Sequence, residues 1–221
     1  MKVCTDACLF GAWSAAQIAK YKPGVKNILD IGAGTGLLSL MLAQKCNAHI
    51  DSVEINAEAV GQAKENVMAS PWENIDVHHT SIVDFSIAKK YEFVIANPPF
   101  YEGDLLSPDV HRNAAMHDSY LTLGSLIQEI KKHISPNGYA AVLLPFSRKS
   151  YFEELLRQQD FHVTEMTEVR QSVNHNFFRV MFLFSLKEQG EIKNSEISIY
   201  DNSRQYTDAF KDLLEDYYLA F

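Results

Sequence analysis

The chain has 221 residues, 47% of them hydrophobic, and a formal net charge of −8. That length fits one domain with a packed core, and no apolar run reaches the roughly 18 residues of a helical membrane span, which excludes one. The acidic balance excludes a broad electrostatic grip on phosphates while leaving room for a local basic rim.

Residues 1–22 read as a cap segment, with Trp13, Ile18 and Ala19 on one face of an amphipathic helix. Residues 26–31 read as a buried strand running into glycines, and 37–45 as a helix. A second strand (48–55), a second helix (58–69, stopped by Pro71) and a short strand (75–79) follow. Residues 92–96 have a continuously apolar interior, from Phe93 onward, and predict a strand buried on both faces. A helix at 121–134, a strand at 139–144 and a helix at 148–159 come next. Strands at 161–169 and 177–186 have no helix between them and are expected to be antiparallel neighbours. Segment 187–200 is polar and reads as an excursion. Residues 206–219 place Phe210, Leu213, Leu214, Tyr217 and Tyr218 at helical spacing, a helix docked on the core. This alternation predicts a single α/β domain over 1–221, a mostly parallel sheet with right-handed crossovers and helices on both faces.

The three cysteines, Cys4, Cys8 and Cys46, are odd in number and contain no CxxC pair, so neither a disulfide framework nor a zinc site is expected. His78, His79 and His175 read as structural or solvated. The first ten residues, interrupted by Asp6, are no secretory signal, and a cytoplasmic location is expected.

The first strand ends in Leu29-Asp30-Ile31-Gly32-Ala33-Gly34-Thr35-Gly36. Glycines at alternate positions let the backbone turn sharply and approach a ligand without Cβ clashes. The spacing is G-x-G-x-G, with Leu at 37, and departs from the dinucleotide fingerprint. Asp30 suits a cationic, zwitterionic ligand better than a pyrophosphate. Glu54, at the end of the second strand, suits a ribose diol, and Asp84, after the third, suits an adenine amine. In open α/β sheets ligands bind outside the carboxyl ends of the strands, where all of these residues lie. Together they point to a nucleoside-containing cofactor, and at Asp30 to Gly36 the sequence resembles the class I methyltransferases.

The fourth strand runs directly into Asn97-Pro98-Pro99-Phe100. The prolines fix the backbone and donate no hydrogen bond, so the motif presents acceptors: the Asn97 side-chain oxygen and the Pro98 carbonyl. Two acceptors on the N–H groups of a planar amine favour pyramidal nitrogen, localise its lone pair and stabilise the charge that develops on methylation. Phe100 offers a face on which a base stacks. The motif resembles the NPP(F/Y/W) signature of methyltransferases acting on planar nitrogens.

The opening Met1-Lys2-Val3-Cys4-Thr5-Asp6-Ala7-Cys8-Leu9-Phe10-Gly11-Ala12-Trp13 resembles the first block of the bacterial tRNA(Val) adenine-37 N6-methyltransferases. Residues 206–219 resemble that family's ending, and Arg112 and His117 loosely match its substrate loop. Cys4 and Cys8 depart from the Gly and Val usual in the opening block, and family members carry a short β-rich segment before it. The resemblance implies a Rossmann-like class I fold with a seven-stranded sheet and an antiparallel final strand. It implies S-adenosylmethionine (SAM) as cofactor, with Thr5 and Asp6 near its amino-acid end. It implies a tRNA partner and a monomer that uses neither metal nor membrane. A basic rim is expected at the Arg112 loop, Arg148-Lys149 and Arg170. Alternatives remain at this point: methylation of a protein glutamine amide, methylation of guanine N2 in RNA, or a non-catalytic binding module.

Overall fold

A computed structural model describes residues 4–98 and 121–220. In chain order its elements are α1 (Thr5–Tyr21), β1 (Asn27–Ile31), α2 (Leu37–Ala43), β2 (His49–Glu54), α3 (Ala57–Met68), β3 (Ile75–His79), β4 (Tyr91–Ala96) and α4 (Leu123–His133). Then come β5 (Ile134–Pro145), a 3₁₀ turn (Phe146–Arg148), α5 (Lys149–Gln158), β6 (His162–Ser172), β7 (Phe177–Ser185), β8 (Lys193–Tyr200) and α6 (Asp208–Leu214). Among the described residues the strands form one sheet in the order β3-β2-β1-β4-β5-β7-β6-β8. Strand β7 runs antiparallel to both β5 and β6, and the other pairings are parallel.

The sheet therefore has eight strands where the sequence predicts seven, and the antiparallel strand is the seventh in chain order. The added strand, β8, lies inside the segment read as a polar excursion. Only Ile197 and Ile199 carry its buried face, while residues 193–196 are exposed. Polar groups on β6 receive the rest: Thr167 Oγ1 and Ser195 Oγ lie 2.8 Å apart, and Arg170 Nε donates to Ser198 Oγ at 2.7 Å. Tertiary pairing thus overrides a composition that predicts no strand.

Alternation along the strands splits the core between two faces. Ile28, Ala141, Leu143, Met181 and Leu183 join α1, α2 and α6 on one, while Leu29, Ile31, Val142, Leu144, Val180 and Phe182 face α4 and α5 on the other. Strand β4, buried on both faces, sits between β1 and β5. Local signals set the helix ends: the Asn56 side chain accepts from the Ala59 N–H (2.9 Å) at α3, and Thr122 from the Ser125 N–H (3.1 Å) at α4. Lys131, Lys132 and His133 close α4, where they complement the helix dipole.

The opening helix is more than a cap. Residues on all its sides are buried, from Cys8 through Ile18. A Cβ at Gly11 would stand 2.6 Å from Met41 Sδ, so this glycine permits the close approach of α1 and α2. The C-terminal half of α1 is fixed to β6. Glu165 accepts from Lys20 Nζ (2.6 Å), Tyr21 OH (2.9 Å) and Gln17 Nε2 (3.3 Å), and Trp13 Nε1 donates to Thr167 Oγ1 (3.0 Å).

Candidate active site

The parallel strands end at a common edge, and β1 and β4 are neighbours in its middle. Ile31 pairs with Ala96, so the next residues along, Gly32 and Asn97, emerge side by side. Gly32, Gly34 and Gly36 have φ of 71°, 56° and 83°, the left-handed region that favours glycine. The loop is pinned to β2, for Gly32 and Ala33 both donate N–H bonds to the Val53 carbonyl, at 2.8 and 3.1 Å. Among the described residues, chain neighbours aside, no atom lies within 4 Å of the position a Cβ on Gly32 would take, which leaves that side of the loop open to a ligand.

Glu54 reaches this loop from β2. One oxygen accepts the Gly34 N–H at 2.9 Å, and the other accepts the Asn56 N–H at 2.8 Å. A carboxylate has roughly four lone-pair sites, so acceptor capacity remains for a ligand diol.

Asp30 lies beneath the loop and is fully buried. Its Oδ2 accepts from Ser39 Oγ at 2.6 Å, and Ser39 Oγ is in turn 2.7 Å from Ser52 Oγ. Among the described residues its Oδ1 has no hydrogen-bond partner. Burial pushes the carboxyl up to about 6, against the opposing Ser39 bond and with a small contribution from the Glu54 charge. A buried acceptor left unpaired is costly, and a cationic ligand above the loop would relieve that cost.

Asn97 is half-buried and Pro98 is buried. Among the described residues the Asn97 carboxamide has no hydrogen-bond partner. Phe100, Arg112 and His117 lie outside the described residues. Asp84 is exposed in the turn after β3, with its N–H on the Ser81 carbonyl (3.1 Å). Thr80, whose N–H bonds the Glu54 carbonyl at 3.0 Å, is held closer to the site than its sequence suggests.

Thr5 and Asp6 open α1, and Asp6 is tied to β7. Asp6 Oδ2 takes a 2.8 Å bond from Arg179 Nε of β7, which stands three strands from β1, about 14 Å at the usual strand spacing. Both residues line a cavity of about 270 Å³ with Gln171, Phe178, Ile199 and Tyr200.

Two cations of the expected basic rim are paired with acids. Lys149 Nζ pairs with Glu168 at 2.6 Å and Arg170 with Glu196 at 3.2 Å. The rim also presents aromatic rings: Phe146 and Phe177 have ring centroids 5.4 Å apart, with Arg170 5.4 Å from the Phe177 centroid and Lys149 5.9 Å from that of Phe146. Phe146 follows β5, the neighbour of β4, so this pair stands on the same edge as Asn97.

The family described as the methyltransferase small domain matches residues 16–171. A tRNA1(Val) (adenine(37)-N6)-methyltransferase of Dyadobacter fermentans is 38% identical, over 100% of this chain and 92% of its own. One of Klebsiella pneumoniae is also 38% identical, over 99% and 89%. The chain belongs to this methyltransferase family. The fold agrees: a crystal structure of a predicted O-methyltransferase from Agrobacterium tumefaciens superposes with a TM-score of 0.73 at 14% identity, covering 95% of each chain. A glycopeptide N-methyltransferase solved with sinefungin superposes at 0.57 and 12% identity, over 80% of this chain and 87% of that one.

The cofactor of the methyltransferase is SAM, and the residues present fit it. The orphaned Asp30 Oδ1 suits the positive end of the cofactor, the free acceptor sites of Glu54 suit its ribose, and the open side of Gly32 admits close approach of its backbone-hugging portion.

Proposed function

We propose that the protein transfers a methyl group from SAM to the exocyclic N6 amine of an adenine in tRNA, adenine 37 of tRNA(Val). The observation that carries this reading is the register Ile31↔Ala96, which sets the Asn97-Pro98 acceptors beside the glycine loop in a chain so similar to enzymes of that name. A tRNA substrate implies action in the cytoplasm.

In this reading Asp30, Gly32, Gly34, Gly36 and Glu54 hold the cofactor, with Asn97 at the edge of its site, and the cofactor when bound supplies an electrophilic methyl on a positively charged sulfur. Asn97 Oδ1 and the Pro98 carbonyl each accept one N–H of the adenine amine. That orients the nitrogen lone pair and stabilises the positive charge the nitrogen acquires. The acceptors need no prior deprotonation, and the surplus proton passes to solvent afterwards. Phe100 stacks on the base, which must leave its own stack to reach the site. Thr5, Asp6 and Asp84 have weaker geometric support, since Asp6 is held by Arg179 and Asp84 is exposed.

With Lys149 and Arg170 paired with acids, binding of the anticodon loop draws on stacking as well as on charge. The Phe146–Phe177 pair offers the platform, and base–aromatic stacking is worth about 1–3 kcal/mol per base. Phe177→Ala is expected to weaken RNA binding by about that amount with cofactor affinity unchanged; equal RNA affinity in filter binding would remove the platform. Glu54→Ala is expected to weaken cofactor binding by about 1–3 kcal/mol and also to lower stability, because two backbone N–H groups lose their acceptor. Calorimetry with cofactor checks the first effect and denaturant unfolding the second.

The experiment for the function itself is incubation of the protein with labelled SAM and tRNA(Val), then nucleoside mass spectrometry. N6-methyladenosine is the expected product. Label appearing instead as N2-methylguanosine, or only in protein glutamine, would replace this reading.

A further inference from the structure

A second constellation lies away from the methyl-transfer edge, on the amino-terminal half of β2 and β3. Asp51 pairs in register with Asp76, so the two side chains share one face. His49 and His78 lie two residues from Asp51 and Asp76 respectively, and two-residue steps along a strand return to the same face. One imidazole, that of His49, and two carboxylates converge across adjacent strands, and His78 flanks Asp51.

The distances are those of a metal site. Nε2 of His49 is 3.6 Å from Asp51 Oδ1 and 3.3 Å from Asp76 Oδ2. The ligand atoms of His49, Asp51 and Asp76 all lie within 4.8 Å of one another. Bonds of about 2.0–2.2 Å from zinc to nitrogen and oxygen put tetrahedral ligands about 3.3–3.6 Å apart. His78 Nε2, 2.8 Å from the same Asp51 Oδ1, is a hydrogen-bond partner of that carboxylate.

The surroundings are built as an outer shell would be. Asp51 is buried, and its second oxygen, Oδ2, accepts from Tyr91 OH at 2.9 Å and from Lys89 Nζ at 2.5 Å. These bonds fix the carboxylate and turn Oδ1 toward the histidines, as partners of ligating carboxylates do. The Lys89 charge offsets one carboxylate, so the cluster is not a bare acidic patch. His49 and Asp76 are 40% and 62% exposed at the side chain, which gives an ion a path from solvent.

We propose that His49, Asp51 and Asp76, with solvent completing the shell, bind one divalent transition-metal ion of the zinc class. Imidazole with carboxylate selects zinc and its neighbours over magnesium or calcium, which prefer all-oxygen shells. The ion bridges β2 to the edge strand β3 and stabilises that edge. No local motif advertises the site, because its ligands meet only through strand register.

The test uses the full chain, stripped with a chelator and titrated with zinc in competition with a chromophoric chelator, and with cobalt for its visible spectrum. One equivalent should bind, cobalt should give the intense bands of a tetrahedral ion, and zinc should raise the melting temperature, since it binds the folded state. His49→Ala and Asp76→Asn, both at exposed side chains that leave the core intact, should each weaken zinc binding by about 10–100-fold or more, since even outer-shell losses reach that scale. His175→Ala should match the parent. Absence of stoichiometric binding, or binding that survives both ligand variants, would overturn the site. Methyl transfer does not enter these readouts, so they fail or succeed independently of the proposed function.

Discussion

Asn97→Ala is expected to fold, to bind SAM and tRNA, and to lose about 10²–10³ in the rate of methyl transfer. That is the scale recorded when one preorganised polar group is removed from a developing charge. The argument rests on position. Asn97 leaves β4 beside Gly32, is half-buried, and has no competing hydrogen bond among the described residues. Removing the carboxamide leaves the amine with the Pro98 carbonyl alone, so its lone pair stays delocalised and the charge that forms is met on one side. Ground-state binding changes little, because an adenine amine outside the site finds water instead. Single-turnover kinetics with saturating cofactor isolates the effect. A variant with unchanged turnover would show that the acceptors do not take part, and a variant that loses cofactor binding first would assign Asn97 to the cofactor.

Asp30→Asn should separate cofactor binding from stability. The folded carboxyl is raised by burial from its ordinary 3.8 to about 6. A raised folded value means that the folded state holds its proton more tightly than the unfolded state. The stabilisation is therefore fully present below the unfolded value and is lost as pH rises through about 6. At about 1.4 kcal/mol per unit, a shift of this size amounts to about 3 kcal/mol. The parent should thus lose roughly that much stability, relative to Asp30→Asn, between about pH 4 and pH 8. Over the same range its affinity for the cationic cofactor should rise, since ionised Asp30 is the form that attracts it. The asparagine variant should be the more stable protein at pH 8 and the weaker binder. Urea unfolding across pH, paired with calorimetry, checks both arms; parallel stability curves for the two proteins would mean that Asp30 is not the titrating group.

The parts of this molecule that read well from sequence are those in which local pattern and tertiary role agree. Residues 93–96 are apolar without interruption because β4 is covered on both faces, and the glycines after β1 are needed at three positive φ values. The acceptor motif follows because Asn97 and the prolines begin where that strand stops. Strand β8 was illegible for the opposite reason: its polar half is received by Thr167 and Arg170 of β6, partners that no linear window contains. The opening helix reads as amphipathic, yet α2, α6 and the sheet bury it on nearly all sides. At the site, Asp30 was recognised but not its burial, since Ser39 and Ser52, which line its pocket, look like ordinary interruptions of apolar runs. The pairing of Asp6 with Arg179 and of two rim cations with acids likewise depends on contacts across long stretches of chain. His78, which reads as structural or solvated, bonds the buried Asp51, a partner that no linear window contains.

The most direct measurement is a crystal structure of the protein with sinefungin and an anticodon stem-loop of tRNA(Val). The account predicts the adenine amine within hydrogen-bond distance of Asn97 Oδ1 and the Pro98 carbonyl, with the analogue's amino-acid end over Asp30 and its ribose on Glu54. An Asn97 carboxamide turned into the sheet, away from both ligands, would contradict it.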